Sequence, residues 1–118
     1  MKDIIFDNFQ DSVDNCLIRH RSILDVLTKY TESSSRINRS VAKAVTNCGC
    51  IQINASKQKT LKENYSNEND IKKHLNPHIT GKLCDDCREV IEEEIVTNLF
   101  YLTSLCNQLN INLYDKKN

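Results

Sequence analysis

Residues that favour tight turns are scarce in this chain, and their scarcity excludes a class of fold. Only two of its 118 residues are glycine and one is proline, too few for the many turns of a β-rich domain. Tryptophan is absent, and the aromatic residues are three phenylalanines and four tyrosines, so a core must consist mostly of leucine, isoleucine and valine. We therefore expect one all-α domain spanning residues 1–118.

Two further absences concern location and partners. No apolar run approaches the ~20 residues of a membrane span, and residues 1–7 are too short in apolar length and too acidic for a signal peptide. Lysine plus arginine equals aspartate plus glutamate at 16 each, so no net field attracts nucleic acid or anionic lipid. We expect a cytoplasmic protein without membrane or nucleic-acid contact, although Arg36, Arg39 and Lys43 form a small basic face.

Cysteine, by contrast, is plentiful, and four of the six cysteines form two close pairs. Cys48 and Cys50 flank Gly49, and Cys84 and Cys87 form a C-x-x-C motif. In a reducing cytosol such pairs are more typical of metal ligands than of disulfides. C-x-x-C is a usual half-site of tetrahedral zinc, and the glycine of C-x-C lets the backbone fold tightly enough for two thiolates to reach one ion. We predict a structural zinc site formed by these four thiolates.

Other interpretations of the cysteines stay open. Four thiolates also hold iron–sulfur clusters. A C-x-x-C pair can be a redox dithiol, although the βαβ pattern of thioredoxin-like folds is missing, and the thiols can also be buried and unrelated. His74 and His78 lie close enough in sequence to replace one cysteine as a ligand. A structural metal would offset the entropic cost of closing the polar excursion over residues 51–83.

Apolar residues recur at helical spacing in three stretches. We predict helices over residues 4 to about 30, 33 to 46 and 86 to about 109, arranged as an antiparallel helical hairpin or bundle, with residues 51–83 as a polar insertion loop. The residues expected to face inward are Phe6, Phe9, Val13, Cys16, Leu17, His20, Leu24 and Leu27, then Ile37, Val41, Ala44 and Val45, and finally Ile91, Ile95, Asn98, Leu99, Leu102, Leu105, Cys106 and Leu109.

Capping residues predict where these helices begin and end. The hydroxyls of residues 31–35 are good N-caps for the second helix, and Gly49 suits the left-handed residue that closes it. Asp86, with Glu89 three residues later, is typical of a capping box at the start of the last helix. Cys87 would then lie at the positive end of that helix, which favours its thiolate.

The last helix also resembles a known family. Residues 93–102, followed by residues 105–113, resemble the second signature helix of the MazG-like all-α nucleotide pyrophosphohydrolases. Residues 32–41 stand where that family has an E-E-x-x-E helix. The resemblance implies a helical hairpin that dimerises into a four-helix arrangement and binds magnesium through acidic residues of both helices.

This chain departs from the acidic motifs of that family. Glu94 matches the first acid of E-x-x-D, but Thr97 replaces the aspartate. Glu32 matches E-E-x-x-E, but Ser33 and Arg36 occupy other acidic positions. One carboxylate per helix does not build the usual magnesium site. We interpret the chain as a MazG-like scaffold without its magnesium site and with an added four-cysteine site.

The residues support three hypotheses of function. The first is a non-enzymatic, zinc-stabilised helical protein that acts through another protein or as a homodimer joined by Phe6, Phe9, Leu99 and Leu102. The second is a divergent nucleoside triphosphate pyrophosphohydrolase. The third is a redox sensor that uses its thiols and zinc.

The enzyme hypothesis requires magnesium, which we expect to be held by Glu92, Glu93 or Glu94 together with an acid from another helix, such as Asp25. Acids in the first turns of a helix also stabilise that helix through its dipole, without any catalytic duty. The residues therefore favour a protein that is not an enzyme.

Overall fold

The computed structural model describes residues 4–16, 22–58 and 68–114. These segments contain four helices and two short strands: α1 (Ile4–Cys16), α2 (Ile23–Lys43), which continues into one π turn (Ala44–Cys48), β1 (Ile51–Ile53), α3 (Glu68–His74), β2 (Ile79–Gly81) and α4 (Asp85–Gln108). The prediction of a mostly helical protein is confirmed. Within these segments, no helix combines the length and the apolar character needed to cross a membrane.

Helix α4 is central and packs against both α2 and α1. The Asn98 side chain of α4 donates to the Ser33 hydroxyl near the middle of α2 (3.0 Å), whereas the start of α4 lies beside the end of α2. The Asn107 side chain, near the end of α4, donates to the carbonyl of Gln10 in α1 (3.0 Å). Helix α2 therefore runs antiparallel to α4, and the two form a helical hairpin.

The serine- and threonine-rich stretch over residues 31–35 lies inside α2 and does not begin a helix. The hydroxyl of Ser34 donates to the carbonyl of Tyr30 (3.1 Å), and that of Ser35 donates to the carbonyl of Thr31 (3.3 Å). Hydroxyls that bond to the preceding turn do not cap a new helix. The predicted helix start at about residue 33 is wrong for this reason.

The first break in the helical chain comes earlier than expected. Helix α1 ends at Cys16, and α2 begins after Ser22, whose backbone is extended (φ −72°, ψ 131°). One helix over residues 4 to about 30 is therefore wrong. Val26 is fully buried, whereas Leu24 and Leu27 are 73% and 43% exposed. Three other expected inward positions lie outside the described residues: Leu17, His20 and the side chain of Cys16.

The excursion over residues 51–83 has more structure than a loop. Strands β1 and β2 pair in antiparallel register, with Ile51 opposite Gly81. The pairing extends past the strands, because the amide of Asn54 donates to the carbonyl of His78 (2.9 Å). Strand β1, which follows the first cysteine pair, is thus one strand of a hairpin neck, and this neck holds the two cysteine pairs close together.

The buried interior is small, and apart from Ser33 it lies at the two ends of the α2–α4 hairpin. At the end that carries the cysteines, Ala44, Ile51 and Ile91 are buried and pack together. At the other end the buried residues are Val13, Val26, Thr103 and Ser104. The two hydroxyls there donate to carbonyls of their own helix, which removes much of the cost of burying them.

Candidate metal centre

The end of α2 positions the first cysteine pair. The last turn of this helix widens to a π turn over residues 44–48, and the amide of Gly49 donates to the carbonyl of Ala44 (2.9 Å). Gly49 has a φ of 79°, the left-handed conformation that the sequence predicts for the residue closing this helix. The chain reverses there, and the Sγ atoms of Cys48 and Cys50 lie within 4.8 Å of each other.

The start of α4 positions the second pair. The helix begins at Asp85, and Cys84 is its N-cap, because the Cys84 sulfur accepts a hydrogen bond from the amide of Cys87 (3.4 Å). The prediction of Asp86 as the N-cap is therefore wrong by two residues. A sulfur atom satisfies the free amide at this helix end where a carboxylate was expected to do so.

The β-hairpin neck brings the two pairs together, and it depends on Gly81. The amide of Lys82 donates to the carbonyl of Cys50 (3.2 Å). Gly81 has a φ of 89°, and a Cβ atom there would lie 2.5 Å from the Cys50 carbonyl oxygen. Only glycine permits this approach without displacement of the backbone. The one local signal of Gly81 in the sequence is the rarity of glycine in the chain.

The four predicted cysteines converge on one point. Their four Sγ atoms all lie within 4.8 Å of one another, and those of Cys48 and Cys84 are 3.7 Å apart. In a tetrahedron of four zinc–sulfur bonds of about 2.3 Å, neighbouring sulfur atoms are about 3.8 Å apart. The four cysteines therefore lie close enough to bind a metal ion.

The thiols share hydrogen bonds, and this affects their protonation. The amide of Cys87 donates to the Cys84 sulfur and lowers the pKa of the Cys84 thiol. The hydrogen bond between the two thiols raises the pKa of Cys87 to about 12. The start of α4 therefore favours the thiolate of Cys84, through the hydrogen bond from the Cys87 amide. Four neighbouring thiolates need a cation to balance their charge.

Other expected ligands do not join this cluster. His78 is near the hairpin neck but is absent from the group of converging ligand atoms, and its Nε2 atom is buried without a hydrogen-bond partner. The side chain of His74 lies outside the described residues. Cys106, near the end of α4, is half-buried, and burial raises the pKa of its thiol. Its position at the far end of α4 makes it a suitable control for the four cysteines.

The acids suggested by the family resemblance lie in a groove between α2 and α4. Glu32 and Glu94 both line this groove, which has a volume of about 640 Å³ and extends to Cys48 and Cys87. Arg36 also lines it and donates to Glu32 (3.0 Å). The Arg36 guanidinium, with Lys29 nearby, holds the pKa of the Glu32 carboxyl below its usual range.

Asp25 does not meet the acids of α4. The contact between Asn98 and Ser33 sets the antiparallel register of the two helices, so Asp25 lies beside the region of α4 near Cys106. That level is about 18 Å along the helix axis from Glu94, at 1.5 Å per residue. Asp25 is therefore not the acid that would share a magnesium ion with Glu92, Glu93 or Glu94. In the described part of the chain, the four cysteines are the group of histidine, cysteine or acidic residues close enough to hold an ion.

Comparison with known proteins adds no assignment: no protein-family model, no curated protein and no solved structure matches this chain.

Proposed function

We propose that Cys48, Cys50, Cys84 and Cys87 bind one structural zinc ion. The observation that carries the proposal is the approach of all four sulfur atoms to within 4.8 Å of one another. Four thiolates around one ion are typical of structural zinc. An iron–sulfur cluster holds its cysteines on different iron atoms, which spreads the sulfur atoms further apart. The compact arrangement therefore favours a single ion.

The ion would join the end of α2 to the start of α4. These two helix ends are separated by the excursion over residues 51–83, whose closure has an entropic cost. Among the residues that the structure describes, Ala44, Ile51 and Ile91 form the buried cluster beside the cysteines, a small core for this end of the molecule. Because the unfolded chain has no preformed site, the free energy of metal binding contributes directly to folding.

We further propose that the protein is not an enzyme and acts by associating with itself or with another protein. Among the described residues, five hydrophobic side chains are buried, whereas fifteen large ones are exposed. Exposed apolar side chains become candidates for a binding surface where they lie together in one patch. The supporting observation for the absence of catalysis is that Glu32 is held in ion pairs with Lys29 and Arg36.

Elemental analysis of the purified protein tests the metal site. We expect about one zinc ion per chain, as a four-thiolate site requires. After exchange for cobalt, the protein should show the strong visible absorption of tetrahedral cobalt thiolate. Cys84→Ser should lose the metal and lower the melting temperature, whereas Cys106→Ser should retain both.

Two results would contradict this proposal. Iron together with inorganic sulfide in the purified protein would show that the four cysteines hold an iron–sulfur cluster and not zinc. A variant in which serine replaces all four cysteines, with an unchanged melting temperature, would show that no metal stabilises the fold.

The second candidate is a divergent MazG-like nucleoside triphosphate pyrophosphohydrolase. One observation favours it: Glu32 and Glu94 line the same groove between α2 and α4. These are the two acids that match the family motifs. We rank it second because the Arg36 guanidinium, bonded to Glu32, occupies the groove where a magnesium ion would need further carboxylates.

Calorimetric titration of nucleoside triphosphates with magnesium separates the two candidates. Binding that depends on Glu94, tested with Glu94→Gln, and release of pyrophosphate would support the enzyme. Absence of binding by zinc-loaded protein would eliminate the enzyme and leave the first proposal intact.

A further inference from the structure

Helix α2 has three distinct faces along its length. The inner face packs on α4 and buries Val26, Ser33 and Ala44. A second face carries every charged residue of the helix, at steps of four and three: Asp25, Lys29, Glu32, Arg36, Arg39 and Lys43. A third, exposed face carries no charge. We call it the uncharged face and define it by Leu24, Leu27, Thr28, Thr31, Ser35 and Asn38.

The uncharged face is well suited to losing its water. Leu24 and Leu27 are 73% and 43% exposed. The hydroxyls of Thr28 and Thr31 donate to the carbonyls of these two leucines, at 2.9 and 3.0 Å, and the Ser35 hydroxyl donates to the Thr31 carbonyl. Because these three hydroxyl protons already have partners within the helix, burying the three hydroxyls leaves none of their donors unpaired.

Large and small residues are arranged along this face so that it is complementary in shape to a second copy of itself running in the opposite direction. Its bulky residues, Leu24 and Leu27, lie towards the start of the helix, and its smaller ones, Ser35 and Asn38, lie towards the end. Leu24 and Asn38 are equidistant from Thr31, and so are Leu27 and Ser35. A second α2 packed antiparallel about a twofold axis at Thr31 therefore places each leucine over a smaller residue. Such a self-matching surface is what a twofold interface requires.

Charge also favours a second copy as the occupant. A face without charge is electrostatically matched to another face without charge, and the zero net charge of the chain produces no repulsion between copies.

We infer that the uncharged face of α2 is the interface of a twofold homodimer, in which Leu24 of one copy packs against Asn38 of the other. This names the surface and the partner for the self-association proposed above, and it is independent of the metal. It also replaces the expected interface of Phe6, Phe9, Leu99 and Leu102: Phe6 stacks on Tyr114, and the other three are half-buried within one copy.

Light scattering coupled to size exclusion tests the interface. At tens of micromolar, suited to a small interface of micromolar affinity, we expect the wild-type mass to be twice the 13.6 kDa of one chain. Thr31→Glu places two carboxylates across the axis and should give a monomer. The matched control is Thr97→Glu, since Thr97 is also exposed, in mid-helix, and bonded to the carbonyl four residues before it. The control should remain a dimer.

A charge pair tests the predicted pairing across the axis. Leu24→Glu alone and Asn38→Lys alone should each weaken the dimer, whereas a mixture of the two variants should form the heterodimer, because residue 24 of one copy faces residue 38 of the other. Zinc content and helical circular dichroism, measured on the same samples, show whether each variant is folded and loaded. A folded, zinc-loaded wild type that is monomeric would overturn this inference and leave the metal proposal standing. If folded Thr31→Glu remains a dimer, the interface lies elsewhere on the molecule, and the inference is overturned as well.

Discussion

The two ends of the α2–α4 hairpin are held together in different ways. At one end, four cysteines converge beside the small cluster of Ala44, Ile51 and Ile91. The opposite end carries α1 and the chain after α4, and hydrogen bonds there add to the burial of Val13 and Val26. The comparison shows two solutions to the same difficulty, because a chain of this size buries too little apolar surface for either end to depend on packing alone.

Gln10 of α1 organises the end without cysteines. Its side-chain amide donates to the carbonyl of Ile111 (2.8 Å), and its side-chain carbonyl accepts from the amide of Leu113 (3.0 Å). Its backbone carbonyl accepts from Asn107 of α4 (3.0 Å). These bonds attach the chain after α4 to α1, so this end is independent of any metal.

Removal of the metal should have the largest effect and should affect one end first. Chelation is expected to reduce stability by at least several kcal/mol, because about 10 kcal/mol or more of metal binding contributes to folding in small zinc proteins. Amide hydrogen exchange should show the loss of protection around residues 44–54 and 79–91 before α1 and residues 107–113 are affected. A uniform loss along the chain, or none, would contradict the division into two ends.

The two glycines of the cysteine end should differ in their tolerance of a side chain. Gly81→Ala places a Cβ atom 2.5 Å from the Cys50 carbonyl oxygen, whereas a Cβ at Gly49 meets nothing within 4 Å. Both positions have left-handed backbones, so each substitution carries a conformational cost of about 1–2 kcal/mol. Gly81→Ala should add overpacking of about 1–3 kcal/mol.

Denaturant unfolding of the zinc-loaded protein, together with chelator competition, measures this difference. Gly81→Ala should also weaken metal retention, because the displaced carbonyl belongs to a ligand residue, and Gly49→Ala should do so less. Equal effects of the two substitutions would show that the hairpin neck does not position Cys50.

Gln10→Ala should weaken the opposite end without affecting the metal. Loss of its two side-chain hydrogen bonds should reduce stability by about 1–3 kcal/mol. Asn8→Ala, at an exposed position of the same helix, should change stability by less than about 0.5 kcal/mol. Thermal unfolding and zinc titration of the same samples provide the two measurements. A change in zinc affinity in Gln10→Ala would contradict this prediction, because it would show that the two ends of the hairpin are energetically coupled.

The smallest effect should come from the ion pairs of Glu32, midway between the ends. Arg36 and then Lys29 lower the pKa of its carboxyl in the folded protein. The contribution of Glu32 to stability is therefore present above its unfolded pKa and is lost as the pH falls through its lower folded pKa. The stability difference between wild type and Glu32→Gln should be small, because the pair is exposed, and should vanish in acid. Unfolding curves of both proteins over a pH series measure this stability difference. A difference that grows as the pH falls would contradict the prediction.

Local patterns determined much of the candidate metal centre. The spacing of Cys48, Cys50, Cys84 and Cys87 indicates two half-sites, and Gly49 predicts the end of α2, because both depend on residues adjacent in the chain. The helical period of α4 placed its boundaries within one residue at each end. Short-range preferences of this kind act on the chain before any distant segment is in place.

Only the tertiary structure decided what depends on distant neighbours. Ser33 is buried in mid-helix because Asn98 of α4 donates to its hydroxyl, and no local pattern reveals that donor. Gly81 is required because the Cys50 carbonyl approaches it across the hairpin. Sequence alone thus determined which cysteines form the pairs, since spacing is a local property. The antiparallel packing of α2 on α4 and the hairpin between them decided that the four sulfur atoms meet.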